Sequence, residues 1–238
     1  MKPMKKGGWA QGIYQQSSTE KEMVGTYRCD LWGNGYHYAK AGAANLTAGK
    51  LTGAAAQDTD FENESVASAT AVGSLTVDIT VTTTTVAENY FRGGTLQVND
   101  AAGEGFTYPI LYSTAITNGT ALTVTLDEPI RKALTTSSEV NVMHSPFMAT
   151  VISPTGQAVL PVGIPKIDVT AGYYYWSQTK GDACCLMGEA AASGAALVIG
   201  SSVAGSVEAQ DLVGETVVGT AREAGTDTEY YPIYLQID

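Results

Sequence analysis

From residue 75 the chain sets an apolar side chain at every second position: Leu75, Val77, Ile79 and Val81, with Thr76, Asp78, Thr80 and Thr82 between them. That repeat of two belongs to a β-strand with one face toward a core; a helix would scatter the same residues around its surface. Residues 82–85 continue with threonines, whose branched side chains favour a pleated surface. The texture then recurs at short intervals. Thr95–Val98, Phe106–Tyr112, Ala121–Leu126 and Glu139–Met143 all read as strands. Turn residues separate them: Arg92-Gly93-Gly94, Asn99–Gly105 and Asn118-Gly119. Pro109 lacks an amide hydrogen and assigns its strand to a sheet edge or a bulge. Closely spaced strands of this kind predict a small antiparallel sandwich or barrel.

The flanking regions are also β-like. Asn34-Gly35 is a tight-turn dipeptide, and after it Tyr36 and Tyr38 fall on one side of a strand and His37 on the other. Residues 53–73 show weak periodicity and mark a boundary. Residues 144–165 hold Pro154, Pro161 and Pro165 and read as a return connection. From Ile167 onward strands resume, and Ile233, Leu235 and Ile237 alternate almost to the last residue. The expected fold is all-β: a two-lobed antiparallel sandwich or barrel body with an extended N-terminal arm. Residues 1–30 would form the arm, 31–64 plus 166–238 a discontinuous core domain, and 65–165 an inserted β-domain.

Charge separates the arm from the body. Residues 1–50 carry seven Lys/Arg against three Asp/Glu, and the remaining residues six against twenty-one. An acidic body offers nucleic acid no broad basic face, so nucleic-acid binding is not expected. A cationic arm suits an acidic surface, including the body of a neighbouring copy. No run approaches the ~18 apolar residues of a membrane span, and the opening MKPMKK is not followed by an apolar signal core. No membrane partner is expected, and assembly in a cytoplasm is. Cys29, Cys184 and Cys185 read as reduced thiols, since adjacent cysteines bridge only with strain.

No catalytic constellation emerges. His144, in Met143-His144-Ser145-Pro146, reads as a structural hydrogen-bonding residue rather than a general base, and His37 as a partly exposed strand residue. Gly33-Asn34-Gly35 and Gly103-Glu104-Gly105 are turns, because no helix-forming pattern follows either to receive an anion. Asp58, Asp60, Glu62 and Glu64 lack the glycine and terminal glutamate of an EF-hand and read as a solvated acidic loop. No catalytic residue, metal ligand or cofactor-binding residue is assigned, and an enzyme is not expected. The most suggestive apolar feature is Tyr173-Tyr174-Tyr175-Trp176. As a strand it puts Tyr173 and Tyr175 on one face and Tyr174 and Trp176 on the other. One pair fills a core, and the other needs a cover, a subunit contact or a sugar.

Gly35-Tyr36-His37-Tyr38-Ala39-Lys40-Ala41-Gly42, followed by Leu46-Thr47-Ala48-Gly49-Lys50-Leu51, resembles the opening of a group of tailed-bacteriophage virion proteins. Arg92–Asp100 with Gly103-Glu104-Gly105 and Tyr108 is similar to their middle segment, as is Asp127-Glu128-Pro129-Ile130 with Ala133-Leu134-Thr135. Glu223–Leu235 is similar to their ending. These stretches cover nearly all of the chain beyond residue 25, and they are turn-and-strand texture rather than chemistry. The resemblance implies a capsid decoration (cement) protein on the outer capsid surface of a virion. Its partners would be the major capsid protein and copies of itself, as a trimer. An arm that adds a strand to a neighbour's sheet edge would anchor it. Lys5, Lys6, Trp9, Ile13 and Tyr14 are its expected contacts, with Trp176 as a further interface residue. The alternative is a tail or fibre protein that binds a host-surface glycan through exposed aromatics such as Trp176. A hydrolase on a β-scaffold ranks last.

Overall fold

The computed structural model describes residues 8–156 and 159–238. Lys5 and Lys6, two of the expected arm contacts, lie outside the described residues. The strands, in chain order, are β1 Tyr27–Cys29, β2 Gly35–Lys40, β3 Thr52–Gly53, β4 Glu64–Ser65, β5 Thr76–Val86, β6 Thr95–Asp100, β7 Thr107–Ser113 and β8 Ile116–Leu126. They continue with β9 Glu139–Met143, β10 Val151–Ile152, β11 Pro161–Pro165, β12 Tyr174–Leu186, β13 Ala196–Ile199, β14 Val207–Ala209, β15 Gly219–Ala221 and β16 Tyr230–Gln236. One 3-10 turn, Thr59–Phe61, is the only helical element among the described residues. The fold is all-β, as the period-two alternation requires.

The chain divides into two units: unit 1 comprises residues 1–55 and 146–238, and unit 2 residues 56–145. These limits differ from the sequence expectation of 65–165 for the inserted domain. Phe61 and Val66 belong to the core of unit 2, and β4 pairs with β9 there, so the second unit begins earlier. It also ends earlier. The stretch expected as a return connection holds β10 and β11, and all of β11 is buried between β3 and β12 in the sheet of unit 1.

Unit 2 is a six-stranded antiparallel sheet in the order β4-β9-β6-β7-β8-β5. A bridge between Val66 and Ile79, with the Ala67 amide donating to the Asp78 carbonyl at 2.8 Å, brings its two ends together as a nearly closed barrel. Closure leaves few unpaired edge groups. The interior holds the alternating residues Val77, Ile79 and Val81 with Leu96, Val98, Leu122, Val124 and Leu126. Leu75 is exposed instead, because it precedes β5. β7 runs between β6 and β8, so Pro109 is not on an edge; a register shift between Ile110 and Tyr112 supplies the bulge. Asn118, expected in a turn before the strand, sits inside β8 with φ of 46°, at an irregularity in the pairing with β5.

Unit 1 is built on a ten-stranded sheet in the order β10-β3-β11-β12-β16-β15-β13-β14, with β2 also pairing β12 and β1 pairing β2. The thirteen-residue β12 is its spine: the first half pairs with β2 and β11, the second with β16. Leu51, Cys185, Leu197, Ile233 and Leu235 form one apolar cluster, and Ala39, Leu46, Val169 and Tyr175 another. The β1–β2 hairpin turns at Leu31-Trp32-Gly33, where Gly33 takes a φ of 83° that favours glycine. The loop therefore spans Asp30 to Asn34, and Gly35 of the expected turn pair is already in β2.

Candidate functional site

The N-terminal segment is not an extended arm from Gly8 onward. Residues 8–30 fold back on β2 and β12 of their own unit. Trp9 packs with its ring centroid 4.7 Å from that of Trp176 and 5.6 Å from that of Tyr36, and Ile13 joins the same cluster. Ser17 exchanges two backbone hydrogen bonds with Tyr174, at 2.8 and 3.0 Å. Gln11 closes the contact. Its side-chain Nε2 donates to the carbonyls of Gln15 and Tyr174, its Oε1 accepts from the Tyr38 hydroxyl at 2.8 Å, and its carbonyl accepts from the Trp176 indole at 2.8 Å. Every polar group that Trp176 and Tyr38 bury is thereby satisfied, which a buried Trp or Tyr requires. The cause of the fold-back is the aromatic face that β12 presents: Trp176 and Tyr174 need a cover, and the segment just upstream supplies it.

This corrects the assignment of Trp176. It is 1% exposed, so neither a neighbouring subunit nor a sugar reaches it. The facing of the four aromatics is as expected, with Tyr175 in one cluster and Trp176 in another. Of the other expected contacts, Trp9 and Ile13 are engaged within the unit, and Tyr14 is 66% exposed.

Beside this strap lies a cleft of about 480 Å³. Trp9, Tyr14, Trp32, Asp30, Tyr36 and Lys166 are among its walls. Trp32 is 80% exposed, held out by the hairpin turn. Asp30 organises that turn: its carboxylate accepts the amides of Trp32 and Asn34 at 2.9 and 3.0 Å, the Asn34 side-chain amide at 2.9 Å and the Tyr36 hydroxyl at 3.3 Å. Burial works against its charge, but these donors outweigh it and hold the carboxyl below its ordinary value. Lys166 is half-buried, and loss of hydration lowers its pKa against the attraction of Asp30, Cys184 and Asp182. Neither Gln11 nor Lys166 carries a sequence signal, whereas Asp30 four residues before Asn34 is legible as a side-chain-stabilised turn.

The buried tyrosines give a pH expectation. Burial pushes the Tyr38 hydroxyl up to about 12 and raises that of Tyr36, with the charge of Asp30 adding to the effect. A group whose value is higher in the folded state than in the unfolded chain contributes fully below the unfolded value, 10.0. The contribution is lost as pH rises through the folded value. Unit 1 should keep its stability to about pH 10 and lose it progressively toward pH 12. Denaturant unfolding followed by tryptophan emission across that range, with Tyr38→Phe flattening the loss, checks this.

Both histidine rings are held by main-chain carbonyls. The His144 ring is buried, with Nδ1 2.9 Å from the Ser145 carbonyl and Nε2 3.3 Å from that of Ala56. His37 stacks on Phe147 at 4.2 Å, donates from Nδ1 to the Gly25 carbonyl and places Nε2 3.3 Å from Asp238. Asp58 caps the 3-10 turn of the acidic loop by accepting from the Asp60 amide. Among the described residues no cluster of His, Cys, Asp and Glu has the arrangement of a metal site. The three cysteines are free thiols; Cys185 is buried, which pushes it up to about 12, while Cys29 and Cys184 are exposed.

A second exposed apolar feature of unit 1 is the loop between β14 and β15. Leu212 is 64% exposed and Val213 fully so. The loop backbone is braced beneath them: a Glu215 carboxylate oxygen accepts the amides of Asp211 and Leu212 at 3.3 and 3.1 Å, and Gly214 turns the chain with a φ of 100°.

In comparisons with known proteins, the chain matches no protein family, no curated protein and no solved structure.

Proposed function

We propose that this chain is a structural protein of a tailed-phage virion that decorates the outside of the capsid and bridges its subunits. The observation that carries the reading is the braced loop tip at Leu212 and Val213. Two adjacent apolar side chains held in solvent on an ordered loop lose free energy by staying hydrated, and gain it on contact with a partner. The resemblance of Gly35–Leu51 and Glu223–Leu235 to virion proteins points to the major capsid protein as that partner. Many copies, each with a small contact, bind a symmetric lattice tightly through effective concentration. Self-association as a trimer at the lattice axes belongs to the same reading. The strap of residues 8–30, being engaged in its own unit, is not the anchor.

The test is co-sedimentation with tailed-phage heads stripped of their outer proteins. The protein should pellet to a fixed ratio of copies per capsid subunit, and the double variant Leu212→Ser, Val213→Ser should stay in the supernatant with its circular dichroism unchanged. Absence of pelleting by the native protein, or equal pelleting by the variant, counts against the reading. A glycan-binding tail or fibre component is the second reading. The exposed Trp32 and Tyr14 at the cleft favour it, in place of the buried Trp176.

A further inference from the structure

Two clefts of unit 1 meet at one side chain. The first is the aromatic cleft of Trp9, Tyr14 and Trp32. The second, of about 370 Å³, is bounded by Gly49, Pro165, Gln178, Cys184 and Tyr230. Lys166 lines both. Its Nζ donates to Gln178 Oε1 at 2.9 Å, and among the described residues no carboxylate lies within ion-pair distance of it. An ammonium carries three hydrogens, so donors remain for a ligand. The carboxylate that shares the first cleft, Asp30, is in the opposite condition, with four donors already upon it.

The paired clefts thus present aromatic surface on either side of a single under-engaged cation. Trp32 is held out at one end, and Tyr230, 46% exposed, stands at the other. A sugar ring offers a flat C–H face for such side chains, and a uronic acid adds a carboxylate for the ammonium. We infer that the two clefts form one binding site for an acidic oligosaccharide, with sugar rings stacked on Trp32 and Tyr230 and a hexuronate carboxylate paired with Lys166 between them. The half-burial of Lys166 fits this, because its ammonium has lost water that a carboxylate replaces. A peptide of acidic residues alone meets the charge but brings no ring for the aromatic ends. The inference rests on residues separate from Leu212 and Val213, so it and the capsid reading can fail independently.

The experiment titrates tryptophan emission of the full chain with hexagalacturonate, with its methyl ester and with a hexaglutamate peptide. Saturable quenching by the free acid is expected, at least about tenfold weaker for the ester and for Lys166→Gln, as for loss of one charge-assisted hydrogen bond. Trp32→Ala, at an exposed position that leaves the fold intact, should weaken binding measured by calorimetry. Absence of saturable binding by the free acid overturns the inference. Equal affinity for the ester, unchanged affinity in both variants, or a peptide that binds as tightly as the sugar does so too.

Discussion

Trp176→Ala is expected to destabilise unit 1 by about 3–5 kcal/mol, the usual cost of emptying a buried tryptophan site. Trp176 is 1% exposed and is enclosed by Trp9, Tyr36, Tyr38 and Ile13. Its loss leaves the Gln11 carbonyl without its indole donor and leaves Trp9 with only the edge contact to Tyr36. The strap around Trp9 and Gln11 should then loosen, because the aromatic surface it covers is gone and the Ser17–Tyr174 backbone pair and the Gln11 amide are left to hold it. Denaturant unfolding followed by emission of Trp9 and Trp32 measures the loss, and hydrogen exchange at the Ser17 and Tyr174 amides reports the loosening. A variant as stable as the native protein would mean that the strap does not need its aromatic seat. Deleting residues 2–28 should act in the same direction, because it strips the cover from Tyr38 and Trp176.

Gly94→Ala is the second large effect, and it falls on unit 2. A Cβ at this position would lie 1.9 Å from the Met143 carbonyl oxygen and 3.0 Å from backbone atoms of His144. Both obstacles are main chain. Moving Met143 away would break its pairing with Thr95, the pair that closes one end of the β6–β9 ladder. Gly94 also accepts from the Ile110 amide at 3.0 Å, so it cannot retreat freely either. Overpacking commonly costs about 1–3 kcal/mol, and this site should lie at or above the upper end. The three tryptophans all belong to unit 1, so their emission is blind to this change. Hydrogen exchange along Thr95–Asp100 and Glu139–Met143 is the fitting probe. Protection equal to that of the native protein would show that the β6–β9 pair yields more easily than its hydrogen bonds imply.

Much of the fold was legible because strand pairing is written into local patterning. Alternation at Val77, Ile79 and Val81 placed those residues in a core, and they are fully buried. The alternation of Tyr173 to Trp176 foretold which aromatics share a face. The site was less legible. Trp9, Gln11 and Ile13 fall at every second position, but the polar Gln11 breaks any apolar alternation, so nothing local marks the three as parts of a cover. Cationic composition drew attention to Lys5 and Lys6 and away from Gln11, whose uncharged amide makes the contact. Lys166 looked like any lysine after a proline; its partial burial arises from elements distant in sequence, Asp30 in the hairpin turn and Gln178 on β12.

By itself the sequence determined that this chain is all-β and where most strands run. Those outcomes follow from side-chain period and turn chemistry, which act over a few residues. Tertiary structure alone decided that residues 8–30 lie against their own unit, that the barrel begins near residue 56 and ends at Ser145, and that Lys166 stands between two clefts. Each depends on which apolar surface finds which cover. Burial is non-directional and sums over residues far apart in the chain, so no local pattern records it.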